Sequence, residues 1–198
     1  MNPEVRKIPF GMSNFTIGEG ENIMKFDGKD QLQAEGGEVT LTPVFEDINI
    51  ADFGPAVYDK IFVGMETAVT IVAAEDTIKI MELALGATTT ITATDGGATV
   101  GLMDAAIGTS MRSKGKRVSI HPRNFDVNDK DSDITIYKMI ADGEYTRSAA
   151  NEQGNVTVTL TGLPRDGMEP DKPGNFYYIG GTDPHYVAPT TTTTTTTA

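Results

Sequence analysis

The stretch from Glu38 to Gly86 constrains the fold of this chain more than any other part. In its first half, apolar residues alternate with polar ones at Val39, Leu41, Val44, Ile48 and Ile50. This period of two predicts a strand with one buried face. A second alternating segment, ETAVTIVA, follows Gly64. The sequence therefore predicts a sheet that contains this pair of strands.

A long loop is predicted between these two strands. Residues 51–60 read ADFGPAVYDK, and Gly54 and Pro55 interrupt the alternation there. Three large aromatic side chains lie in or just after this loop: Phe53, Tyr58 and Phe62. Two interpretations are open, since the rings either pack on their own core or protrude and bind a partner. Burial against a partner would contribute about 1.5–3 kcal/mol for each ring.

A short helix is predicted after the second strand. Ile78, Met81 and Leu85 are spaced three and four residues apart, so they would share one buried face. Asp76 suits the N-cap position, and Gly86 suits the position just after the last turn. The central unit is therefore read as strand, long loop, strand and short helix.

Further strands and turns are predicted on both sides of this unit. Alternation predicts strands near residues 88–94, 118–120, 134–138 and 156–160, with turns at 95–97 and 142–143. Residues 98–111 fit either a strand or a weak helix, and Gly36-Gly37 is expected to interrupt the chain. The sequence predicts a mainly β fold: an antiparallel β-sandwich or partly closed barrel with one short flanking helix and extended terminal arms.

A chain of 198 residues fits one domain with extended ends. We expect an N-terminal arm at 1–20 with little core of its own, a β domain at 21–164, and a C-terminal segment at 165–198. That segment is rich in Pro, Gly and aromatic residues, and its threonine run at 190–197 predicts disorder. No apolar run approaches the ~18 residues of a membrane span, and residues 1–4 do not resemble a signal peptide, so a soluble species is expected.

The charge of the chain bears on its partners. The net charge is −12, from 28 acidic and 16 basic side chains. Tight nucleic-acid binding needs the opposite sign, because lysine and arginine neutralise phosphates. An acidic wall would instead repel the phosphates of a passing duplex. The alternative is that the acidity serves solubility alone.

No constellation for nucleophilic catalysis is apparent. The chain has no cysteine, which excludes disulfides and thiolate chemistry. His121 and His185 are the only histidines, each is followed or preceded by proline, and no Gly-x-Ser-x-Gly motif surrounds any serine. Both histidines are therefore interpreted as surface residues, and the protein is not expected to be an enzyme.

The strongest metal candidate is the acidic run at residues 126–133. Asp129, Asp131 and Asp133 have the alternating spacing of a calcium loop. Ile134 and Ile140, however, stand where that loop needs a glycine and a bidentate glutamate. A solvated acidic turn is the favoured interpretation, and no metal or cofactor is expected.

Two other motifs are weak. Gly18-Glu19-Gly20 lacks the third glycine and the following helix of a nucleotide-binding loop. The basic residues at 112–117 have no interleaved aromatics, so a single-strand nucleic-acid platform is not indicated. They are read as a solvated loop, or as a partner for the acidic run of a neighbouring subunit.

In order and pattern, residues 38–86 resemble the core of siphophage tail tube proteins, a family related to the tube proteins of contractile injection systems. The later segment 134–164 adds to the resemblance, with its run Ile136-Tyr137-Lys138 and its closing strand at 156–160. The resemblance implies hexameric rings that stack head to tail into a tube. It also implies that the loop carrying Phe53, Tyr58 and Phe62 contacts the adjacent ring.

The same resemblance implies the partners and the location. Copies of the chain would enclose a tape-measure protein, meet terminator and tip proteins, and let double-stranded DNA pass without specific binding. Assembly would take place in the host cytoplasm, the final location would be the virion tail, and no membrane insertion is implied. The alternative is a β-sandwich binding module of a surface or secreted protein, which the lack of an apparent export signal disfavours.

Overall fold

The fold is mainly β and antiparallel, as the sequence predicts: 45% of the structure is strand and 9% is helical. The computed structural model describes residues 7–20, 22–94, 97–147, 151 and 153–185. Its strands are β1 (Ser13–Ile17), β2 (Met24–Phe26), β3 (Gln33–Asn49), β4 (Val57–Ala73), β5 (Thr88–Thr92), β6 (Thr99–Asp104), β7 (Lys116–Pro122), β8 (Ile134–Ala141), β9 (Val156–Gly162) and β10 (Tyr177–Ile179). The α-helix is α1 (Ile78–Leu85), and short 3₁₀ turns lie at Ala51–Phe53 and Met111–Lys114.

Eight strands form one curled sheet that does not close, an arrangement consistent with a β-sandwich. The order is β2-β1-β7-β8-β9-β4-β3, and β10 pairs with β8 beside this path. Strand β8 is the corner of the sheet, because one of its edges is shared: β10 pairs with its first residues and β9 with its last. Strands β5 and β6 form a separate two-stranded sheet.

Alternation along the strands builds the core. In β9 and in residues 67–73 of β4, every second side chain is buried, and the apolar ones pack with those of β1, β7 and β8 in one cluster. Phe15 and Phe26 are the largest fully buried side chains. The predicted terminal arm therefore differs from what is found, since Ser13–Ile17 is a strand of the sheet and Phe15 and Ile17 lie in the core.

A seam remains between β3 and the β1–β2 edge. The Gln33 side-chain amide spans it by donating to the carbonyl oxygens of Ser13 (2.9 Å) and Phe26 (2.6 Å). Gly37 lies against the Phe15 ring, and a Cβ there would be 2.4 Å from the ring carbon. Glycine is thus needed inside β3. The expectation that Gly36-Gly37 breaks the chain is wrong, because the strand runs through both residues with an irregular register.

Helix α1 covers the open side of the core. Thr77 caps its N-terminus by accepting the Ile80 amide, and Gly86 ends it with φ near +62°. The sequence therefore places the end of the helix correctly but puts its cap one residue early, at Asp76. The buried face is Ile80, Leu83 and Ala84, whereas Leu85 is exposed. The predicted face is wrong because three- and four-residue spacing fits either set.

Other expectations are resolved in part. Residues 99–104 form a strand, which decides between the two alternatives for 98–111. The predicted loop at 51–60 is much shorter, because β4 already begins at Val57. Residues 95 and 96 of the predicted turn and the threonine run at 190–197 lie outside the described residues.

Candidate functional site

The longest strands of the sheet extend well beyond its body. Strand β9 pairs with β4 only over Ala68–Ala73, whereas β3 and β4 continue to pair with each other as far as Asn49 and Val57. Residues 42–66 therefore form a two-stranded ribbon with a tight turn at its tip, which we call the hairpin arm. Its ten-residue β4 side reaches about 33 Å from the body, at about 3.3 Å per residue.

Local interactions define the arm. At the tip, the amides of Phe53 and Gly54 donate to the carbonyls of Ile50 (3.0 Å) and Ala51 (3.1 Å). Gly54 has φ near +74°, a conformation that favours glycine. Register shifts after Val44 and after Ile48 mark two β-bulges, which increase the twist of the ribbon. Lys60 and Asp47 form an ion pair across the two strands (2.6 Å).

All three aromatic residues singled out in the sequence lie on this arm and are exposed: Phe53 by 62%, Tyr58 by 63% and Phe62 by 52%. The Phe53 and Tyr58 rings stack at the tip, with centroids 5.7 Å apart and planes within 5°. Phe62 does not join them. It packs edge to face against Phe45 of the opposite strand, at 6.1 Å. Within the described structure, none of these rings folds back on the core.

Sequence reasoning missed most of the apolar surface of the arm. Further exposed apolar side chains are Phe45, Ile48, Val57, Ile61 and Val63. The pairing register of β3 and β4 would have identified Phe45 as part of this surface, because Phe45 pairs directly with Phe62. A two-stranded ribbon without a covering layer is marginally stable in water. An exposed apolar surface of this extent is characteristic of a protein interface.

The acidic run at residues 126–133 holds a lysine of the chain itself. The Lys7 ammonium lies 2.8 Å from Asp129 and 2.7 Å from Asp131. This contact lowers the pKa of the Asp129 carboxyl below its ordinary value. Asp133 instead pairs with His121 (2.5 Å). Among the residues that the structure describes, no group of three or more acidic, histidine or cysteine side chains is placed to hold a metal ion.

Both histidines have structural neighbours. The Nδ1 atom of His121 faces Asp133, while the nearby hydroxyl of Ser119 bonds to Thr135 (3.0 Å). The His185 ring packs edge to face on Tyr137, and its Nε2 lies 3.2 Å from the Pro173 carbonyl. The sequence described both as surface residues, but each lies against neighbours that restrain its ring.

The segment from Gly174 to His185, which we call the C-terminal strap, is held by a polar cluster that the sequence did not reveal. Asp183 accepts hydrogen bonds from Arg117 (2.9 Å), the Tyr137 hydroxyl (3.1 Å) and the His185 amide (2.8 Å). Burial alone would raise the pKa of Asp183, but the His185 and Tyr137 hydrogen bonds and the Arg117 charge outweigh it and lower that pKa. Burial and the bond to Asp183 raise the pKa of Tyr137.

The cavity beneath α1 is small. Its volume is about 40 Å³, and its walls include Leu83, Lys114 and Met139. A space of this size admits only a few water molecules, at roughly 10–15 Å³ for each probe-sized site.

A comparison with known protein families found no family that matches this chain, and a search of curated proteins found no similar protein. No helix in the described ranges is long and apolar enough to cross a membrane.

Proposed function

We propose that this protein is a structural subunit that assembles with copies of itself into stacked rings, forming a phage tail tube through which the genome passes. The observation that carries the proposal is the hairpin arm, an exposed apolar ribbon that projects about 33 Å from a well-packed body. A surface of this kind needs a partner, and the resemblance of residues 38–86 to tail tube proteins suggests a second copy as that partner.

The geometry favours contacts that propagate. An arm that projects from one subunit fits a different surface on the next, and such heterologous contacts generate rings or open stacks. The subunits must also overcome the mutual repulsion of a net charge of −12 on each. Apolar burial by the arm supplies a short-range attraction that charge does not.

The first test is electron microscopy of the purified protein in negative stain. Wild-type protein should form tubes or rings, whereas the Phe53→Ala/Tyr58→Ala double variant should remain a folded monomer, because its arm loses two stacked rings. Val127→Ala is the matched control: this exposed apolar residue lies in the β7–β8 loop, outside the arm, and its loss should leave assembly intact. Normal tubes from the double variant would refute the role of the arm.

The outer face of β3, β4 and β9 suits the wall of a conduit. Side chains that point away from the core on these strands are Glu38, Thr40, Thr42, Glu66, Ala68, Thr70, Val72, Thr157, Thr159 and Thr161. None of them is basic, so the face offers no cation to a DNA phosphate.

A charge reversal tests whether this face lines the lumen. Tubes that carry Glu38→Lys and Glu66→Lys should release the genome more slowly, because each lysine attracts phosphates. Glu169→Lys, in an exposed loop outside the sheet, should not slow release. Unchanged ejection kinetics in the double variant would count against this face as the lining of the lumen, while leaving the assembly role intact.

A further inference from the structure

The hairpin arm requires a receiving surface if it binds a second copy, as the proposed function assumes. Outside the arm, the exposed large apolar side chains other than Ile23, Leu32, Leu85 and Met168 fall into two groups. The first, the β5–β6 patch, consists of Ile91, Val100, Met103 and Ile107. The second, the terminal corner, consists of Ile8, Phe10, Val127 and Ile179. A receptor for apolar rings would be sought at one of these two.

The β5–β6 patch lies on a ribbon that the main sheet does not cover. Among the described strands, β5 and β6 pair only with each other, and the ribbon is fixed at its base. There, the Ala105 amide donates to the Ala87 carbonyl (2.9 Å), and the Lys114 ammonium donates to the Thr88 carbonyl (2.6 Å). These two hydrogen bonds fix the base of the ribbon that carries the patch. Lys114 lies at the edge of the patch, and its partner there is a neutral carbonyl oxygen and not a carboxylate.

The terminal corner is fixed by contacts within the chain. Asn124 accepts from the Phe10 amide (3.3 Å) and donates to the Ile8 carbonyl (2.9 Å), while the Gly180 amide donates to the Asp133 carbonyl (2.9 Å). The loop 123–133 thus holds both the N-terminal residues and the strap.

Charge distinguishes the two patches. The arm, residues 42–66, has five acidic side chains and one lysine, a net charge of −4. Residues 87–116, which carry the β5–β6 patch, have three basic and two acidic side chains, a net charge of +1 in a chain of −12. Residues 7–12, 122–133 and 174–185 of the corner have three basic and five acidic side chains, a net charge of −2. An acidic arm is attracted to the first patch and repelled by the second.

We propose that the β5–β6 patch of one copy receives the hairpin arm of the next. The stacked Phe53 and Tyr58 rings bury against Val100 and Met103, and the acidic side chains of the arm lie toward Lys114 and Lys116. The contact joins two different surfaces, so each copy uses its arm on one neighbour and its patch on the other.

Two exposed double variants test this pairing. The arm variant is Phe53→Ala/Tyr58→Ala, and the patch variant is Val100→Glu/Met103→Glu, which replaces apolar contact with like charge. Each alone should be a monomer by analytical ultracentrifugation, with its thermal unfolding unchanged. In an equimolar mixture, the intact patch of the first accepts the intact arm of the second. The mixture should therefore form a one-to-one dimer that grows no further.

A control variant and the possible contrary results distinguish a failure of this pairing from a failure of the proposed function. Ile8→Ser/Phe10→Ser, at the terminal corner, should assemble like wild type. If the arm variant fails to assemble but the patch variant assembles normally, the arm role stands and the β5–β6 assignment is overturned. If both single preparations stay monomeric and their mixture does too, the pairing is again overturned. If both variants form tubes like wild type, the role of the arm fails together with the pairing, whereas a wild-type protein that stays monomeric would overturn the proposed function itself.

Salt provides a second measurement. Lys114→Glu/Lys116→Glu should weaken association roughly tenfold in low salt and much less near 0.5 M salt, because screening removes the charge contribution. An equal loss at both salt concentrations would argue against charge pairing with the arm.

Discussion

Strand β4 passes through two environments, and the contrast shows what alternation does and does not determine. Near its end, Val69 and Ile71 are fully buried in the hydrophobic core. Near its start, Ile61 and Val63 have the same β-branched chemistry but are about half exposed. The pattern produces a strand in both places. Burial depends on whether a second layer lies above the strand, and over residues 57–66 the described chain supplies none.

The largest expected difference between body and arm concerns a phenylalanine in each. Phe26→Ala should destabilise the monomer by about 3–5 kcal/mol, because it leaves a cavity at a fully buried site. Phe62→Ala, in the arm, should change monomer stability by less than about 1 kcal/mol. Urea denaturation of both variants under non-assembling conditions measures this. Equal losses would mean that the arm belongs to the cooperative core.

Two glycines, one in the body and one in the arm, should show the same contrast with a smaller effect on stability. Gly37→Ala should cost about 1–3 kcal/mol, because its Cβ would lie 2.4 Å from the Phe15 ring. Gly64→Ala, in the arm, meets nothing within 4 Å and should be neutral or slightly stabilising. Thermal unfolding of the two variants provides the measurement. If Gly37→Ala has no effect on stability, the packing between β3 and β1 must accommodate the added methyl group without cost.

The C-terminal strap should show the smallest effect, since charge and hydrogen bonds hold it rather than apolar burial. The pKa of Asp183 is lowered in the folded chain, so its contribution is present above the ordinary carboxyl pKa of about 3.9 and is lost as pH falls through the lower folded value. The protection of the strap amides against hydrogen exchange, relative to the intrinsic rate at each pH, should not depend on this group at neutral pH and should fall in acid, below about pH 4. Asp183→Asn should remove most of that acid dependence. A loss of protection in acid that persists in the variant would place the titrating group elsewhere.

The fold class could be predicted from the sequence because alternation is a local property, and β4, β7, β8 and β9 all display it. The phase of a short helix could not. Spacing alone does not choose between the Ile78 face and the Ile80 face, and packing on the sheet decided it. Strand β10 has only three residues and carries too little pattern to be seen.

For the candidate site, the sequence identified three aromatic residues but not the surface that they share. Phe45 becomes relevant only through its register with Phe62, which depends on a bulge after Val44. The strap cluster was invisible for a similar reason. Arg117, Tyr137 and Asp183 are far apart in the chain, and the pairing of β7 and β10 with β8 brings them together.

The loop at 123–133 has a consequence for the connectivity of the chain. It binds Lys7 near one end of the described chain and Gly180 near the other, so the two ends of the fold meet at one corner. A circular permutant that links these ends and opens at Gly54-Pro55 would keep every strand in its place. New chain termini at the arm tip are therefore compatible with the same architecture.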